Sequence, residues 1–182
     1  MNKERRRAVF LDRDGVINRA IEHEGRPYPP KNLTEFEILP EALAACGKLK
    51  AAGFLLIVAT NQPDVGRGTI AQSSVEEIHA HLLSCLPIDR IEVCYHPGRG
   101  ASNCFCRKPK PGMLLNIASE FGIDLPSSWM VGDRWTDIGC GNAAGCRTIF
   151  IDRGYSEELT ETPDFSVRDL GEAAELILKQ KI

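Results

Sequence analysis

The amino-acid sequence predicts an α/β fold in which helices cover both faces of a central parallel sheet. Apolar runs that end in polar residues recur along the chain, and the first is Ala8–Leu11. Stretches with helical features separate these runs, and such alternation of strand and helix is typical of parallel sheets. The length of 182 residues suits one domain with its own core. We therefore expect a Rossmann-like three-layer sandwich, a single domain over residues 1–182 without a large cap domain.

Apolar runs predict the strands of this sheet at residues 8–11, 54–59, 91–95, 129–131 and 148–151. Four consecutive apolar residues in the first run indicate a strand buried on both faces, as in the middle of a parallel sheet. The run at 91–95 is half alternating and suits a strand nearer the edge.

Helices are predicted at residues 41–52, 73–83, 111–122, 135–145 and from 171 to the C-terminus. Gly53, Gly122 and Gly145 stand where three of them end, a position that favours glycine. Ser73 and Ser74 are each followed three residues later by glutamate, which indicates a capping box. Residues 16–40 are polar and contain four prolines; a loop this long is usually functional, and we expect a lid over a site.

The composition argues against several classes of protein. The net charge is −3 and no basic stripe is present, unlike proteins that bind nucleic acids or membrane surfaces. No apolar run approaches the roughly 18 residues of a membrane helix. The basic start, residues 1–7, precedes only four apolar residues, unlike a signal peptide. We interpret it as a solvated arm and expect a cytoplasmic protein without nucleic-acid or membrane partners.

The first strand leads directly into two carboxylates, Asp12 and Asp14, and then into Gly15. In an extended chain the side chains of Asp12 and Asp14 point the same way, and Arg13 points the opposite way. Parallel sheets bind ligands at the carboxyl ends of their strands, where Gly15 lets the chain turn. Two carboxylates this close repel each other unless a cation or a proton lies between them. The pair therefore predicts a chemical site with a divalent metal, a shared proton or both.

The seven cysteines are unevenly distributed. Three of them crowd together with a histidine: Cys94, His96, Cys104 and Cys106. Three thiolates and an imidazole make a closed tetrahedral set, which suits a structural Zn²⁺ better than a catalytic one. The residues between His96 and Cys104 include two glycines and little that can pack, so a metal would order them. We predict a zinc-stabilised loop, with incidental thiols as the alternative.

Polar groups follow further strands and the cysteine cluster: Thr60 and Asn61, Lys108, and Asp133 with Asp137. Together with the Asp-x-Asp pair they resemble the haloacid dehalogenase superfamily of phosphotransferases. The motifs of that superfamily are D-x-D, a strand-terminal Thr or Ser, a Lys, and a closing acidic pair. The resemblance covers residues 8–152 and includes all four motifs in order.

The resemblance implies a phosphatase with a covalent mechanism. Asp12 would be the nucleophile that forms an aspartyl-phosphate, and Asp14 would be the general acid and base. Mg²⁺ would be bound by Asp12, the backbone carbonyl of Asp14, and Asp133. Asp137 lies four residues after Asp133 and is expected behind the metal ligands.

The same resemblance assigns the groups that bind the phosphoryl oxygens. The Thr60 hydroxyl and the Asn61 amide would hydrogen-bond these oxygens. Lys108 would neutralise charge that builds in the transition state. Lys110 is an alternative to Lys108, but the Arg-Lys-Pro pattern favours Lys108.

The zinc loop followed by Cys-Arg-Lys-Pro narrows the resemblance to the capless, zinc-bearing phosphatases, which include heptose bisphosphate and histidinol-phosphate phosphatases. Residues 106–113, and Thr-Asn-Gln followed by Gly-Arg-Gly within 60–68, resemble the heptose enzymes most. The implied reaction removes the 7-phosphate of a heptose 1,7-bisphosphate, a precursor of the lipopolysaccharide core. Arg107 would recognise the second phosphate with help from Arg134, and we also place Arg13 among the substrate contacts. Histidinol phosphate is the alternative substrate.

Two hypotheses from other classes stay open. A nucleic-acid 3′-phosphatase would need a basic groove, and a zinc-binding module with an inactive Asp-x-Asp pair would not need the other motifs. Of the remaining histidines, His79 and His81 do not share a helix face, and we expect both at the surface. His23, in the long loop, is a weaker candidate for substrate contact. We expect a monomer whose partner is a small phosphorylated sugar.

Overall fold

A computed structural model describes residues 6–98 and 104–180. Its strands are β1 (Ala8–Leu11), β2 (Ile21–His23), β3 (Arg26–Tyr28), β4 (Leu55–Asn61), β5 (Arg90–Cys94), β6 (Trp129–Gly132), β7 (Arg147–Ile151) and β8 (Phe165–Val167). Its helices are α1 (Ala42–Ala51), α2 (Pro63–Gly66), α3 (Gln72–Cys85), α4 (Gly112–Phe121), α5 (Trp135–Ala144) and α6 (Leu170–Lys179), with a 3₁₀ turn at Leu125–Ser127. Most of the predicted N-terminal arm, residues 99–103 of the predicted zinc loop and residues 181–182 of the last predicted helix lie outside the described residues.

Six of the described strands form one parallel sheet in the order β5-β4-β1-β6-β7-β8. The strand β1 lies near the middle, paired with β4 on one side and β6 on the other. Helices cover both faces, which confirms the predicted α/β sandwich. Because the strands are parallel, their carboxyl ends lie along one edge.

The central strand β1 is buried on both faces, as its four apolar residues predict. Val9 and Leu11 point into a core formed with α1 and α6, whereas Ala8 and Phe10 point into a core formed with α4 and α5. None of these four side chains is exposed. Since successive side chains of a strand point to opposite faces, one short run supplies both cores.

The structure departs from the sequence prediction where residues are exposed or locally ambiguous. The apolar pattern does not predict β8, α2 or the β2–β3 hairpin, because their residues are exposed or half-buried. The capping box expected at Ser73 and Ser74 is wrong: Ala71 occupies the N-cap position of α3, and no side chain caps this helix. Among the described helices none is long and apolar enough to cross a membrane.

Candidate active site

The carboxyl ends of β1, β4 and β6 border a cleft of about 750 Å³. Asp12, Asp14, Thr60 and Lys108 lie at its inner end. The β2–β3 hairpin, from the predicted lid region, lines the same cleft. The motif residues singled out from the sequence therefore meet at one place.

A glycine makes the tight approach between β1 and β6 possible. Gly15 has φ of +86°, a conformation that strains other residues. A Cβ atom at this position would stand only 1.8 Å from Oδ2 of Asp133. The turn after Asp14 is thus closed tightly against the carboxylate that follows β6.

Lys108 is buried between two carboxylates. Its Nζ lies 2.8 Å from Oδ1 of Asp12 and 2.5 Å from Oδ1 of Asp137, and it donates to the carbonyl of Ala59 at 2.7 Å. Burial alone would lower the pKa of Lys108, but the two carboxylates outweigh this effect and raise it. Lys108 therefore stays a cation beside Asp12, where negative charge would accumulate during phosphoryl transfer. The competing Lys110 is placed elsewhere, with its Nζ donating to the carbonyl of Cys104.

Of the two carboxylates that contact Lys108, Asp12 is the one that lines the cleft. Burial raises the pKa of Asp12 to about 6, and Lys108 partly counteracts the increase. At neutral pH most molecules would therefore carry an ionised Asp12, the form that can attack phosphorus.

Asp133 is a deeply buried carboxylate at 2% exposure. Within the described part of the chain, neither of its oxygens accepts a hydrogen bond of ordinary geometry. Burial, together with repulsion by Asp12 and Asp137, raises the pKa of Asp133, and the nearby Tyr155 hydroxyl opposes this effect in part. Buried charges are stable only when paired or bound to a metal. Carboxylate oxygens of Asp12, Asp133 and Asp137 lie within 4.8 Å of one another, so this cluster fits a divalent cation.

Asp137 has a structural partner on each side. Its Oδ2 accepts a hydrogen bond from the backbone N–H of Arg134 and forms a capping box at the start of α5. Its other oxygen lies against Lys108. Asp137 thus contacts Lys108 on one side and the start of α5 on the other, and its place behind the metal ligands stays a prediction.

Two residues at the end of β4 have different tasks. The Thr60 hydroxyl lines the cleft and accepts a hydrogen bond from Gln62 at 2.9 Å. The Asn61 side chain bonds the backbone N–H and the carbonyl of Lys108, each at 3.2 Å. These two bonds hold the Asn61 side chain against Lys108 at the edge of the cleft, and its contact with a phosphoryl oxygen stays a prediction.

Arg13 is not where the substrate contact was expected. Its side chain is fully buried and does not line the cleft. The guanidinium instead bonds the carboxylate of Asp14 through Nε and Nη2 and the ring of His79 through Nη1. Because the side chain is fully buried and its N–H groups are bonded to Asp14 and His79, the prediction of a substrate contact is wrong.

His79 is buried, so the prediction that it lies at the surface is also wrong. It lies on the face of α3 that carries Val75, Ile78 and Leu82, and it is only 8% exposed. Burial first, and the charge of Arg13 second, lower the pKa of His79 to about 4. The spacing of those apolar residues would have placed His79 on the buried face. His81 is exposed, as predicted.

Arginines line the outer part of the cleft. The Nη1 of Arg107 donates to the carbonyl of His96 at 3.4 Å. Arg134 is paired with Glu157, with Nε to Oε2 at 2.8 Å and Nη2 to Oε1 at 2.5 Å. Both arginines that were predicted to contact phosphate thus line the cleft. The charge of Arg134, however, is already paired with the carboxylate of Glu157.

The predicted zinc ligands converge. Ligand atoms of Cys94, His96, Cys104 and Cys106 lie within 4.8 Å of one another. The Sγ of Cys106 lies 3.3 Å from Sγ of Cys94 and 3.2 Å from Nδ1 of His96, and Cys94 and Cys104 are 3.9 Å apart. A tetrahedral zinc–sulfur site has edges of about 3.8 Å. The donor set and its spacing therefore fit a tetrahedral metal site directly before Arg107.

The predicted lid region, residues 16–40, contains the β2–β3 hairpin. Arg26 and Tyr28 of β3 line the cleft, whereas His23 is exposed and does not. The carbonyl of Gly25 accepts a hydrogen bond from the backbone N–H of Ser156 at 2.9 Å. The hairpin is thus attached to the segment that also carries Glu157.

Several side chains of the site have no signal of their own in the sequence. Gln62, Asn18 and Tyr155 contact the motif carboxylates only because the chain folds back over them. Asn18 stands close to Asp14 in sequence and Gln62 belongs to the Thr-Asn-Gln stretch, but neither pattern indicates a contact with a motif carboxylate. Tyr155 has no such hint.

Known proteins resemble this chain along most of its length. A family model described as HAD-hydrolase-like matches residues 105–173. The D-glycero-beta-D-manno-heptose-1,7-bisphosphate 7-phosphatase of Pseudomonas aeruginosa is 36% identical over 152 residues, which cover 82% of this chain and 83% of the relative. The enzyme of the same name from Escherichia coli K12 is 33% identical, with 96% and 95% covered. A D-glycero-alpha-D-manno-heptose-1,7-bisphosphate 7-phosphatase of Burkholderia mallei is 36% identical, with 85% of each chain covered.

A solved structure has the same fold. It is the D,D-heptose 1,7-bisphosphate phosphatase from B. bronchiseptica complexed with magnesium and phosphate, with a TM-score of 0.76 and 27% identity. The match covers 96% of this chain and 99% of that one. The fold, the convergence of the four motifs and the identity to these relatives agree. The chain therefore belongs to the haloacid dehalogenase phosphatases, and within them to the family of the heptose-1,7-bisphosphate 7-phosphatases.

Proposed function

We propose that this protein is a Mg²⁺-dependent phosphatase that removes the 7-phosphate of D-glycero-D-manno-heptose 1,7-bisphosphate. The observation that carries the proposal is the buried group of Asp12, Lys108, Asp133 and Asp137 at the inner end of a cleft lined by arginines. The carboxylates offer a nucleophile and metal ligands, and the arginines offer contacts for a second phosphate. The names of the relatives support the choice of substrate.

In the first step, an oxygen of Asp12 attacks phosphorus and the bond from phosphorus to the sugar oxygen breaks. The sugar oxygen takes a proton from Asp14, and the phosphoryl group remains on Asp12. Lys108 contacts Asp12 and would stabilise the charge of the transition state. In the second step, water attacks phosphorus, its proton passes to Asp14, and Asp12 is released.

The carboxylate cluster would hold Mg²⁺ through Asp12, Asp133 and the backbone carbonyl of Asp14. The buried Asp133, without an ordinary hydrogen bond among the described residues, is the observation that favours a cation there. Bound Mg²⁺ would offset the repulsion between the carboxylates and the phosphate oxygens. Asp137 is committed to Lys108 and the α5 N-terminus, so we assign it the role of positioning Lys108.

We also propose that the cluster of Cys94, His96, Cys104 and Cys106 holds a structural Zn²⁺. The four side chains would fill all four coordination positions of a tetrahedral zinc ion, so no coordination position is left for a substrate. Arg107 and Lys108 follow Cys106 directly. An ordered metal loop would therefore fix the start of the segment that carries both cations.

A kinetic comparison tests the substrate. The α and β anomers of the heptose 1,7-bisphosphate, histidinol phosphate and p-nitrophenyl phosphate are assayed with and without Mg²⁺. Charge-assisted contacts to a second phosphate predict a kcat/KM for the preferred bisphosphate about 10- to 100-fold above that for histidinol phosphate. Faster turnover of histidinol phosphate would assign the alternative substrate, and no turnover of any ester with Mg²⁺ present would leave a metal-binding module.

Three sequence predictions complete the proposal. We propose that the chain acts as one domain, as a monomer and in the cytoplasm. Sedimentation of the purified protein measures its mass against the 20.1 kDa of one chain. A mass of about twice this value would exclude the monomer.

A further inference from the structure

The carboxylate of Asp14 is held by three side chains. Its Oδ1 accepts hydrogen bonds from Arg13 Nε at 3.1 Å, Arg13 Nη2 at 3.0 Å and Asn18 Nδ2 at 3.0 Å. Its Oδ2 accepts from Arg13 Nη2 at 3.0 Å and Gln62 Nε2 at 2.8 Å. Five hydrogen bonds thus fix the orientation of this carboxylate. In the second step of the proposed reaction, Asp14 has to face the water from which it takes a proton.

Arg13 donates most of the hydrogen bonds to Asp14, and a further residue fixes the position of Arg13 itself. The side chain is fully buried, so its N–H groups have to find partners within the protein. Nε and Nη2 are used by Asp14, whereas Nη1 lies 2.9 Å from Nε2 of His79. His79 belongs to α3, a helix that contributes no other side chain to this cluster among the described contacts.

A histidine can accept this hydrogen bond only when its ring is neutral. His79 is 8% exposed, and it packs on the apolar face of α3. Its burial, beside the positive charge of Arg13, keeps the ring neutral at the pH where the enzyme would work. The ring thus offers Nε2 to Arg13 as a fixed acceptor.

We propose that His79 is a positioning residue of the phosphatase: it fixes the Arg13 guanidinium, and through it the carboxylate of Asp14 that accepts the proton of the hydrolytic water. The inference rests on the proposed function, because it assigns a task in its second step. There the water oxygen bonds to phosphorus, the bond from phosphorus to Asp12 breaks with its electron pair returning to Asp12, and one water proton goes to Asp14. Loss of His79 should therefore slow this hydrolysis.

The test separates the two half-reactions with p-nitrophenyl phosphate. Nitrophenolate is a good leaving group and needs no proton from Asp14, so formation of the phosphoenzyme bypasses that task. The variants are His79→Leu, which removes the acceptor, and His79→Gln, whose side-chain oxygen can replace it. His81→Leu is the matched control, since His81 lies on the same helix with an exposed side chain. Quenched-flow measurements give the rate constants of phosphoenzyme formation and of its hydrolysis.

We expect His79→Leu to slow phosphoenzyme hydrolysis about 10-fold, a part of the 10²- to 10⁴-fold that a general base contributes. Formation of the phosphoenzyme should change less than about two-fold, so kcat falls while kcat/KM is kept. His79→Gln should recover most of the loss, and the control should match the wild type in both steps. Equal slowing of both steps in His79→Leu, or no slowing of either, would overturn the proposal.

Two further results keep the test decisive. If His79→Leu does not fold, Arg13→Met replaces it and should show the same selective loss of hydrolysis. When both single variants fold, adding His79→Leu to Arg13→Met should slow hydrolysis no further, because the two residues act as one unit. Wild-type protein that forms no phosphoenzyme with Mg²⁺ would refute the proposed function itself, a different outcome from a wild type that forms it and variants that hydrolyse it normally.

Discussion

The buried His79 makes the stability of this protein depend on pH in a calculable way. An unfolded histidine titrates near pH 6.5, whereas burial lowers the pKa of His79 to about 4 in the folded protein. Between these values the unfolded chain binds a proton that the folded chain does not. The stabilising contribution is therefore complete above pH 6.5 and is lost as the pH falls toward 4.

The magnitude follows from the two pKa values. At pH 5.5 the folded protein should have lost about 1.4 kcal/mol relative to pH 7.5, and the full loss below pH 4 is about 3 kcal/mol. For a protein of this size the loss at pH 5.5 corresponds to a melting temperature lower by about 3–6 °C. The raised pKa of Asp12 works in the opposite direction, since it adds stability as the pH falls.

The assay compares urea unfolding of the wild type and His79→Gln between pH 7.5 and 5.0. Titration of Asp12 contributes to both proteins and cancels in the difference between them. Glutamine does not titrate, so the variant should lose less stability on acidification than the wild type. Parallel pH curves for the two proteins would refute the reasoning and would place His79 in contact with solvent.

Three predictions concern the site itself. Asp12→Asn should fold normally and lose turnover by at least about 10³-fold, because an amide is a poor nucleophile; a tenth of the wild-type rate would disprove the covalent mechanism. Arg107→Ala should raise KM for the heptose bisphosphate about 10-fold and leave p-nitrophenyl phosphate within two-fold, since it removes one charge-assisted contact; a KM raised equally for both esters would contradict a contact with the second phosphate. Metal analysis should find about one zinc per wild-type chain, less than half of this in Cys106→Ser, and the full amount in the control Cys85→Ser; an active Cys106→Ser without zinc would show that the metal has no structural role.

The sequence was sufficient to predict those features of the fold and the site whose physical cause lies in a local pattern of residues. The apolar run 8–11 predicts a strand buried on both faces, because each side chain of a strand has one of two directions. The motif carboxylates follow strand ends, and parallel strands bring their carboxyl ends to one edge. The convergence of Asp12, Thr60 and Asp133 could therefore be predicted without knowledge of any contact, whereas Lys108, in the loop after β5, was assigned to the site by the family resemblance.

Local sequence patterns could not predict contacts between segments that are far apart in the sequence. Arg13 and His79 are 66 residues apart, and no periodicity links them. The burial of Arg13 follows from the position of β1 in the middle of the sheet, and only the docking of α3 supplies its partner. Likewise, the segment that carries Glu157 folds over the cleft and pairs this carboxylate with Arg134. The arginine that the sequence analysis assigned to phosphate is therefore already paired.

The central position of β1 has a consequence for the time scales of the site. Both neighbours of β1 are hydrogen-bonded strands, and the N–H of Asp12 is bonded to the carbonyl of Val131 at 2.9 Å. Such amides exchange with deuterium only when the whole domain unfolds, whereas the exposed β2–β3 hairpin across the cleft can exchange through local opening. We therefore expect the amide of the nucleophile to exchange slowly and those of the hairpin across the cleft to exchange faster, so the two sides of the cleft should differ in local stability.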